Sequence, residues 1–304
     1  MLNRKCDFDG FGDMDIDDRT LVKTDSLAAA LGGPCVHIVD ATYHLPATGR
    51  DARREFEEAH IPGAVFFDID AVVDKRSDLP HMLPDATAFA AAAEDLGISS
   101  GDRIIVYDTY GLWSAARAWW MFRVFGHDDV AVLDGGLPAW NVDRRELERG
   151  AAHPRRGLFE ARYRPELVRS REQVMALLES HAEQIVDARS AERFTGAVPE
   201  PRPGLRAGHI PGSANVPVGD LTDSITGEML VPDELRALFA QAGIDPAKPV
   251  VATCGSGVTA CAVAFALHRL GARDVPVYDG SWTEWGRPGD TPVEIGAPAH
   301  RATT

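Results

Sequence analysis

The stretch Val251-Ala252-Thr253-Cys254-Gly255-Ser256-Gly257-Val258-Thr259-Ala260 puts a cysteine in a short glycine-rich loop between an apolar run and a helix-like run. Gly255 and Gly257 permit a tight curl that turns successive backbone N–H groups inward, an anion-holding nest at a helix N-terminus. Such surroundings favour the thiolate, which is the nucleophilic form of cysteine. A cysteine that merely fills a core needs neither the glycines nor the helix start. Cys254 is therefore the expected nucleophile, and Gly255, Gly257, Val258 and Thr259 the expected lining of its substrate site.

The other cysteines give this one no partner. Cys6, Cys35, Cys254 and Cys261 form no CxxC pair and no Cys/His metal spacing, so neither a disulfide framework nor a structural zinc is expected, and no metal or other cofactor is called for. Cys261 lies two helical turns past Cys254 and is expected to pack into the core.

Composition bounds the setting. The 304 residues suffice for two ordinary domains, with a normal globular balance of 45% hydrophobic and 25% charged residues. A formal net charge of −15 argues against a general nucleic-acid or anionic-membrane binder but leaves room for a local basic pocket that takes a small anion. The apolar runs, such as Trp119–Phe122 and Ala262–Leu267, fall well short of the roughly 18 residues of a membrane span. The opening residues carry acids and glycines where a leader would be apolar or arginine-rich. They are expected to form a flexible acidic tail, residues 1–20, of a cytoplasmic protein.

The elements that must hold Cys254 come from a tandem duplication. Val39-Asp40-Ala41 recurs as Val186-Asp187-Ala188, His60-Ile61-Pro62-Gly63 as His209-Ile210-Pro211-Gly212, and Asp134-Gly135 as Asp279-Gly280, all offset by 145 to 149 residues. Each copy alternates β-like and helical runs. In the second, Ser170–Ser180 opens with a capping-box pattern, Gln184–Asp187 and Pro249–Thr253 read as strands, and Asp233–Ala242 and Gly257–Leu270 as helices. The first repeats the order with strands Val36–Asp40 and Arg103–Tyr107 and helices Asp85–Leu96 and Leu112–Phe125. Alternation of this kind implies an α/β class, each copy a parallel sheet flanked by helices. The expected boundaries are 21–140 and 169–304, joined by an exposed Arg/Pro/Gly-rich linker, 141–168. Cys254 then sits at the carboxyl end of a strand, where ligand sites lie in such sheets.

The first copy serves as an internal control. Its equivalent loop, Tyr107 to Ser114, has Asp108 in place of the cysteine and is expected to be catalytically silent. His60 and His209 belong to turns set by the following proline and glycine and are not expected to bind metal.

Together, the duplicated HIPG and DG elements, the silent first loop and the CGSGVT loop resemble the two-domain rhodanese family of sulfurtransferases, over about Thr20 to Glu294. In that family C-R-K-G-V-T typifies the thiosulfate enzymes and C-G-S-G-V-T the mercaptopyruvate enzymes. The resemblance implies tandem rhodanese-like domains and transfer of sulfur from 3-mercaptopyruvate through a Cys254 persulfide to an acceptor. A donor whose carboxylate is remote from its thiol calls for an arginine fork away from the loop. The resemblance puts that fork at Arg193 and Arg202, in the stretch DARSAERFTGAVPEPRPG, with Arg189 as a structural ion-pair partner. It also implies a relay in which Ser256 is oriented by neutral His81 and His81 by Asp70, the last two contributed by the silent domain.

Three rival functions remain. Thiosulfate sulfur transfer is the nearest, and a non-catalytic sulfur carrier the next. A phosphatase would need an arginine six residues after the cysteine, where this chain has Ala260. The acceptor is left open between thioredoxin, a small thiol and cyanide, with no nucleic-acid or membrane partner.

Overall fold

A computed structural model describes residues 19–297 and divides into two compact units. The first comprises the residues up to Val73, Leu83–Arg164 and Ile225–Met229; the second comprises Asp74–Met82, Pro165–Ser224 and the residues from Leu230 onward.

The first unit is built on strands β1 (Leu21–Val22), β2 (Val36–Asp40), β3 (Ala64–Phe66), β4 (Arg103–Tyr107) and β5 (Val130–Leu133), in spatial order β1-β5-β4-β2-β3. The second repeats the order as β6-β10-β9-β7-β8, from Val168–Arg169 (β6), Gln184–Asp187 (β7), Ala214–Asn215 (β8), Val250–Thr253 (β9) and Val277–Tyr278 (β10). Every pairing between these strands is parallel. The duplication thus extends from short sequence matches to the whole topology, and each copy has the helix-flanked parallel sheet expected of it.

Burial on both faces explains why the central strands are continuous apolar runs with no alternation. All four residues of β9 are buried. The helix that follows, Ala260–Arg269, buries its first eight residues, Cys261 among them. Its counterpart in the first unit, Ala115–Val124, is buried throughout, including the expected Trp119–Phe122 run. Arg117 and Arg123 are accommodated there by lying over the rings of Trp120 and Trp119, at 4.6 and 4.8 Å from the ring centres.

The HIPG elements are turns in both copies. His60 and His209 stack on Phe56 and Phe194 at 4.0 and 3.8 Å, and each ring Nδ1 lies within hydrogen-bonding distance of that phenylalanine's carbonyl oxygen. Gly63 and Gly212 take the left-handed φ values of 78° and 68° that the turns need.

The residues that follow the first repeat run along the first unit. Phe159 is buried, Gly157 donates its N–H to the Glu94 carbonyl at 2.8 Å, and Arg162 donates to Phe125 at 2.8 Å. A side chain at Gly157 would sit 2.1 Å from the Ile98 carbonyl oxygen, so only glycine fits.

The cysteines differ from expectation at one position. Cys35 is disulfide-bonded, whereas Cys254 and Cys261 are free thiols. Sequence spacing cannot show such a bond, because pairing depends on Cα positions set by the fold. Cys6 and most of the expected acidic tail, residues 1–18, lie outside the described residues. No helix among the described residues is long and apolar enough to cross a membrane.

Candidate active site

Cys254 follows β9, the middle strand of the second sheet, and is 2% exposed. Three contacts fix its backbone. Its N–H donates to Ser281 Oγ at 3.2 Å, its carbonyl accepts from the Trp282 N–H at 3.0 Å, and the Gly255 carbonyl accepts from the Thr283 N–H at 2.8 Å. The carbonyls of the loop start are thus engaged on one side. Among the described residues no protein group accepts the N–H of Gly255, Ser256, Val258, Thr259 or Ala260. Gly257, at φ 76°, supplies the curl, and the helix starts only at Ala260.

The silent copy shows what such a loop takes. The carboxylate of Asp108 accepts the N–H groups of Tyr110, Gly111, Ser114 and Ala115 at 2.7 to 2.8 Å, and the Ser114 hydroxyl at 3.2 Å. Burial pushes the Asp108 carboxyl up, and the four N–H donors pull against that shift. A side-chain anion therefore fills the first loop's cradle from within. Where that aspartate stands, the second copy carries a thiol, and among the described residues no protein group accepts the N–H of Ser256, Val258 or Thr259.

Ser256 is 6% and His81 3% exposed, and His81 Nδ1 lies 2.9 Å from Ser256 Oγ. His81 is presented by the segment Asp74–Met82, closed on itself by the Asp74 N–H donating to the Met82 carbonyl at 2.9 Å. Although the sequence places this segment in the first repeat, it packs as part of the second unit. Asp70 belongs to the first unit. It is exposed there and lines a cavity of about 300 Å³ together with Thr42, His44, Arg50 and Arg53.

Arg193 comes from the four-residue helix Ala191–Phe194 and lies over the loop: a Cβ on Gly255 would be 3.0 Å from its Nη2. Glu200 holds it, accepting from Arg193 Nη2 at 2.6 Å and Nε at 3.3 Å. Arg189 is the structural partner expected of it. It bonds Asp187 at 2.7 Å and Glu200 at 2.8 Å and stacks 4.2 Å over Trp282. Burial opposes its charge, but the two carboxylates outweigh burial and hold the Arg189 guanidinium above the ordinary arginine range. Arg202 is half-buried and forms no side-chain hydrogen bond or ion pair among the described residues.

The structure therefore brings together Cys254, Gly255, Ser256, Gly257, Val258, Thr259, His81 and Arg193. Sequence reasoning missed Glu200 and Ser281. An acid shortly after Arg189 and Arg193 and just before Arg202, in Pro199-Glu200-Pro201-Arg202, is the available signal for the first; nothing short of the fold points to the second. Chemically, the arrangement offers a sulfur nucleophile, a cradle of N–H donors, a serine–histidine pair for moving a proton, and a guanidinium that can take a carboxylate.

Known proteins resemble the chain over most of its length. The rhodanese-like domain model matches residues 23–143 and 170–287. The 3-mercaptopyruvate sulfurtransferase of Homo sapiens is 47% identical over 275 residues, covering 88% of this chain and 92% of the relative. Thiosulfate sulfurtransferase of Bos taurus is 43% identical over 275 residues, with coverage of 88% and 92%. The crystal structure of SseA from Escherichia coli, presented as that of a 3-mercaptopyruvate sulfotransferase with the rhodanese fold, superposes with a TM-score of 0.79 at 44% identity, covering 86% of this chain and 98% of that one. With both copies matched and the relatives covered nearly end to end, the chain belongs to the rhodanese-like domain family.

Proposed function

We propose that the chain is a 3-mercaptopyruvate sulfurtransferase that carries sulfur as a persulfide on Cys254. The observation that carries this reading is the Arg193 guanidinium lying over a loop that has no charged side chain of its own. Thiosulfate presents its sulfonate charge directly beside the sulfur to be transferred and is helped by cations on the loop itself; mercaptopyruvate carries its carboxylate farther off, which suits a cation placed across the loop.

The Cys254 thiolate attacks the thiol sulfur of the donor. A Cys254–sulfur bond forms, the carbon–sulfur bond breaks, and its electron pair leaves with the carbon as the enolate of pyruvate. Arg193 and Arg202 hold the carboxylate and the carbonyl oxygen, on which negative charge grows. The Ser256–His81 pair, oriented by Asp70, manages the thiol proton and returns a proton to the enolate carbon, giving pyruvate. The cradle N–H groups stabilise the persulfide anion left on Cys254. An acceptor thiolate, from thioredoxin or a small thiol, then takes the outer sulfur and restores the Cys254 thiolate; cyanide does the same and leaves as thiocyanate. A cytoplasmic location is part of the proposal.

Thiosulfate sulfur transfer is the second reading, favoured by the 43% identity to the bovine thiosulfate enzyme. Steady-state rates with each donor against cyanide and a dithiol decide between them: kcat/KM is higher for 3-mercaptopyruvate if the proposal holds and higher for thiosulfate if it does not. Mass spectrometry after donor addition without acceptor locates the sulfur. The Cys254 peptide gains about 32 Da, one sulfur, and Cys254→Ser gains nothing. Persulfide on Cys261 in its place overturns the assignment.

A further inference from the structure

Glu200 is nearly sealed from water, with its side chain 2% exposed, and every one of its ion-pair contacts is to an arginine. Its Oε1 is shared between Arg189 Nη1 at 2.8 Å and Arg193 Nε at 3.3 Å, while Oε2 takes Arg193 Nη2 at 2.6 Å. Arg189 is in turn held by Asp187, so two carboxylates and two guanidiniums form one cluster, buried except at Arg193. The face of Arg193 made by Nε and Nη2 is consumed by Glu200, and among the described residues its Nη1 has no acceptor. Gly255 passes close to the same guanidinium: an added Cβ would stand 3.0 Å from Nη2 and 3.8 Å from Nη1.

We propose that Glu200 is the positioning residue of Arg193, that Gly255 is the bare platform over which Arg193 lies, and that together they set the enzyme's selection for a donor carrying a carboxylate. The inference rests on the donor reading above and adds to it the cause of the selectivity. An arginine on a four-residue helix has many rotamers to lose when an anion arrives, and a buried carboxylate removes that loss beforehand. Glycine is required after the cysteine because a side chain there would occupy the space of the guanidinium. A cationic loop and a cation laid across the loop are therefore mutually exclusive designs.

The test compares 3-mercaptopyruvate with mercaptoacetone, which has the same thiol and ketone but a methyl group in place of the carboxylate. Glu200→Gln keeps the side chain's shape but turns an NH2 toward the arginines. Gly255→Ala is the second variant, and it fits the backbone, since Gly255 lies outside the left-handed region and its Cβ meets only the flexible end of Arg193. Each variant is expected to raise KM for 3-mercaptopyruvate by about 10-fold or more, the value of one charge-assisted contact, and to lower kcat/KM for mercaptoacetone far less. Equal losses on both donors, or no loss on either, overturn the proposal. Should Glu200→Gln fail to fold, Gly255→Ala decides the question by the same pair of donors. A wild-type enzyme indifferent to the carboxylate overturns the proposal and the donor reading together, and the wild-type rates alone distinguish that case.

Discussion

His81 Nδ1 lies 2.9 Å from Ser256 Oγ across 175 residues of sequence. The histidine reaches that position at φ 62°, where a residue with a side chain of its size costs of order 1–3 kcal/mol to hold. Retaining that strain at a buried contact with the loop marks a fixed geometry. His81→Ala is expected to lower turnover of 3-mercaptopyruvate by roughly 100-fold, the lower end of what proton transfer contributes. Thiosulfate has no proton to move and should be turned over nearly as before. Equal losses with both donors would reduce the histidine to a structural part.

The arginines should separate by kinetic signature. Arg193→Ala removes a contact that strengthens as the enolate forms, so kcat falls as well as KM rising, by about 10- to 150-fold in kcat/KM for a loss of about 1.5–3 kcal/mol. Arg202, with no protein partner among the described residues, can be removed without leaving a buried charge. Its Ala variant should keep the wild-type melting temperature and lose activity alone; a lost Tm with intact rates would contradict its substrate role.

Ser281 repeats the strain seen at His81. It is buried at φ 47° and holds the Cys254 N–H, whereas the matching position of the silent copy is Gly136 at φ 56°. Ser281→Gly relieves the backbone strain and adds unfolded-chain entropy, two effects of about 1 kcal/mol each and opposite sign. Those two nearly cancel, but the buried Cys254 N–H and Tyr278 carbonyl lose their partner, so stability measured by denaturant titration should fall by about 1–3 kcal/mol, while kcat/KM falls several-fold with either donor, since the anchored atom is the nucleophile's own backbone.

Asp40 gives the fold a pH response. It matches Asp187, but Thr42 stands where Arg189 would neutralise it, and burial pushes its carboxyl up to about 6 despite the Thr42 N–H bond at 2.9 Å. A folded-state value above the unfolded one means that the folded protein binds the extra proton. Stability is then full below about pH 4 and declines as pH rises to about 6, by at most about 3 kcal/mol from this residue. Asp40→Asn should flatten that part of the curve in denaturant titrations between pH 4 and 7. Parallel curves for the two proteins would rule the effect out.

Much of this architecture could be read from the chain. Strands Val36–Asp40, Arg103–Tyr107 and Gln184–Asp187 fall where the apolar runs predict them, and Ser170 caps Arg171–Ser180 with the expected glutamine in a capping box. Two helices begin three residues late, at Ala115 instead of Leu112 and at Ala260 instead of Gly257. In both, apolar and small residues continue the helical pattern into the loop, but in the first copy the backbone turns its N–H groups to Asp108, and in the second, among the described residues, no protein group accepts those of Ser256, Val258 or Thr259. Two-residue strands such as Leu21–Val22 are too short to show any period. Cys254 is singled out by its own loop, whereas Ser256, His81 and Arg193 follow from the family resemblance; the structure sets His81 beside Ser256 and Arg193 over Gly255. Glu200 escaped because its role exists only in the pairing of two arginines that local patterns treat as separate surface charges.

The inclusion of Asp74–Met82 in the second unit has a consequence for the order of synthesis. The residue that meets Ser256 leaves the ribosome long before Ser256 is made, within the half of the gene that encodes the silent repeat. A clone begun at the repeat boundary would therefore express a complete cysteine loop without its histidine, and gene halves divided there are not two enzymes, nor even one enzyme and one spectator.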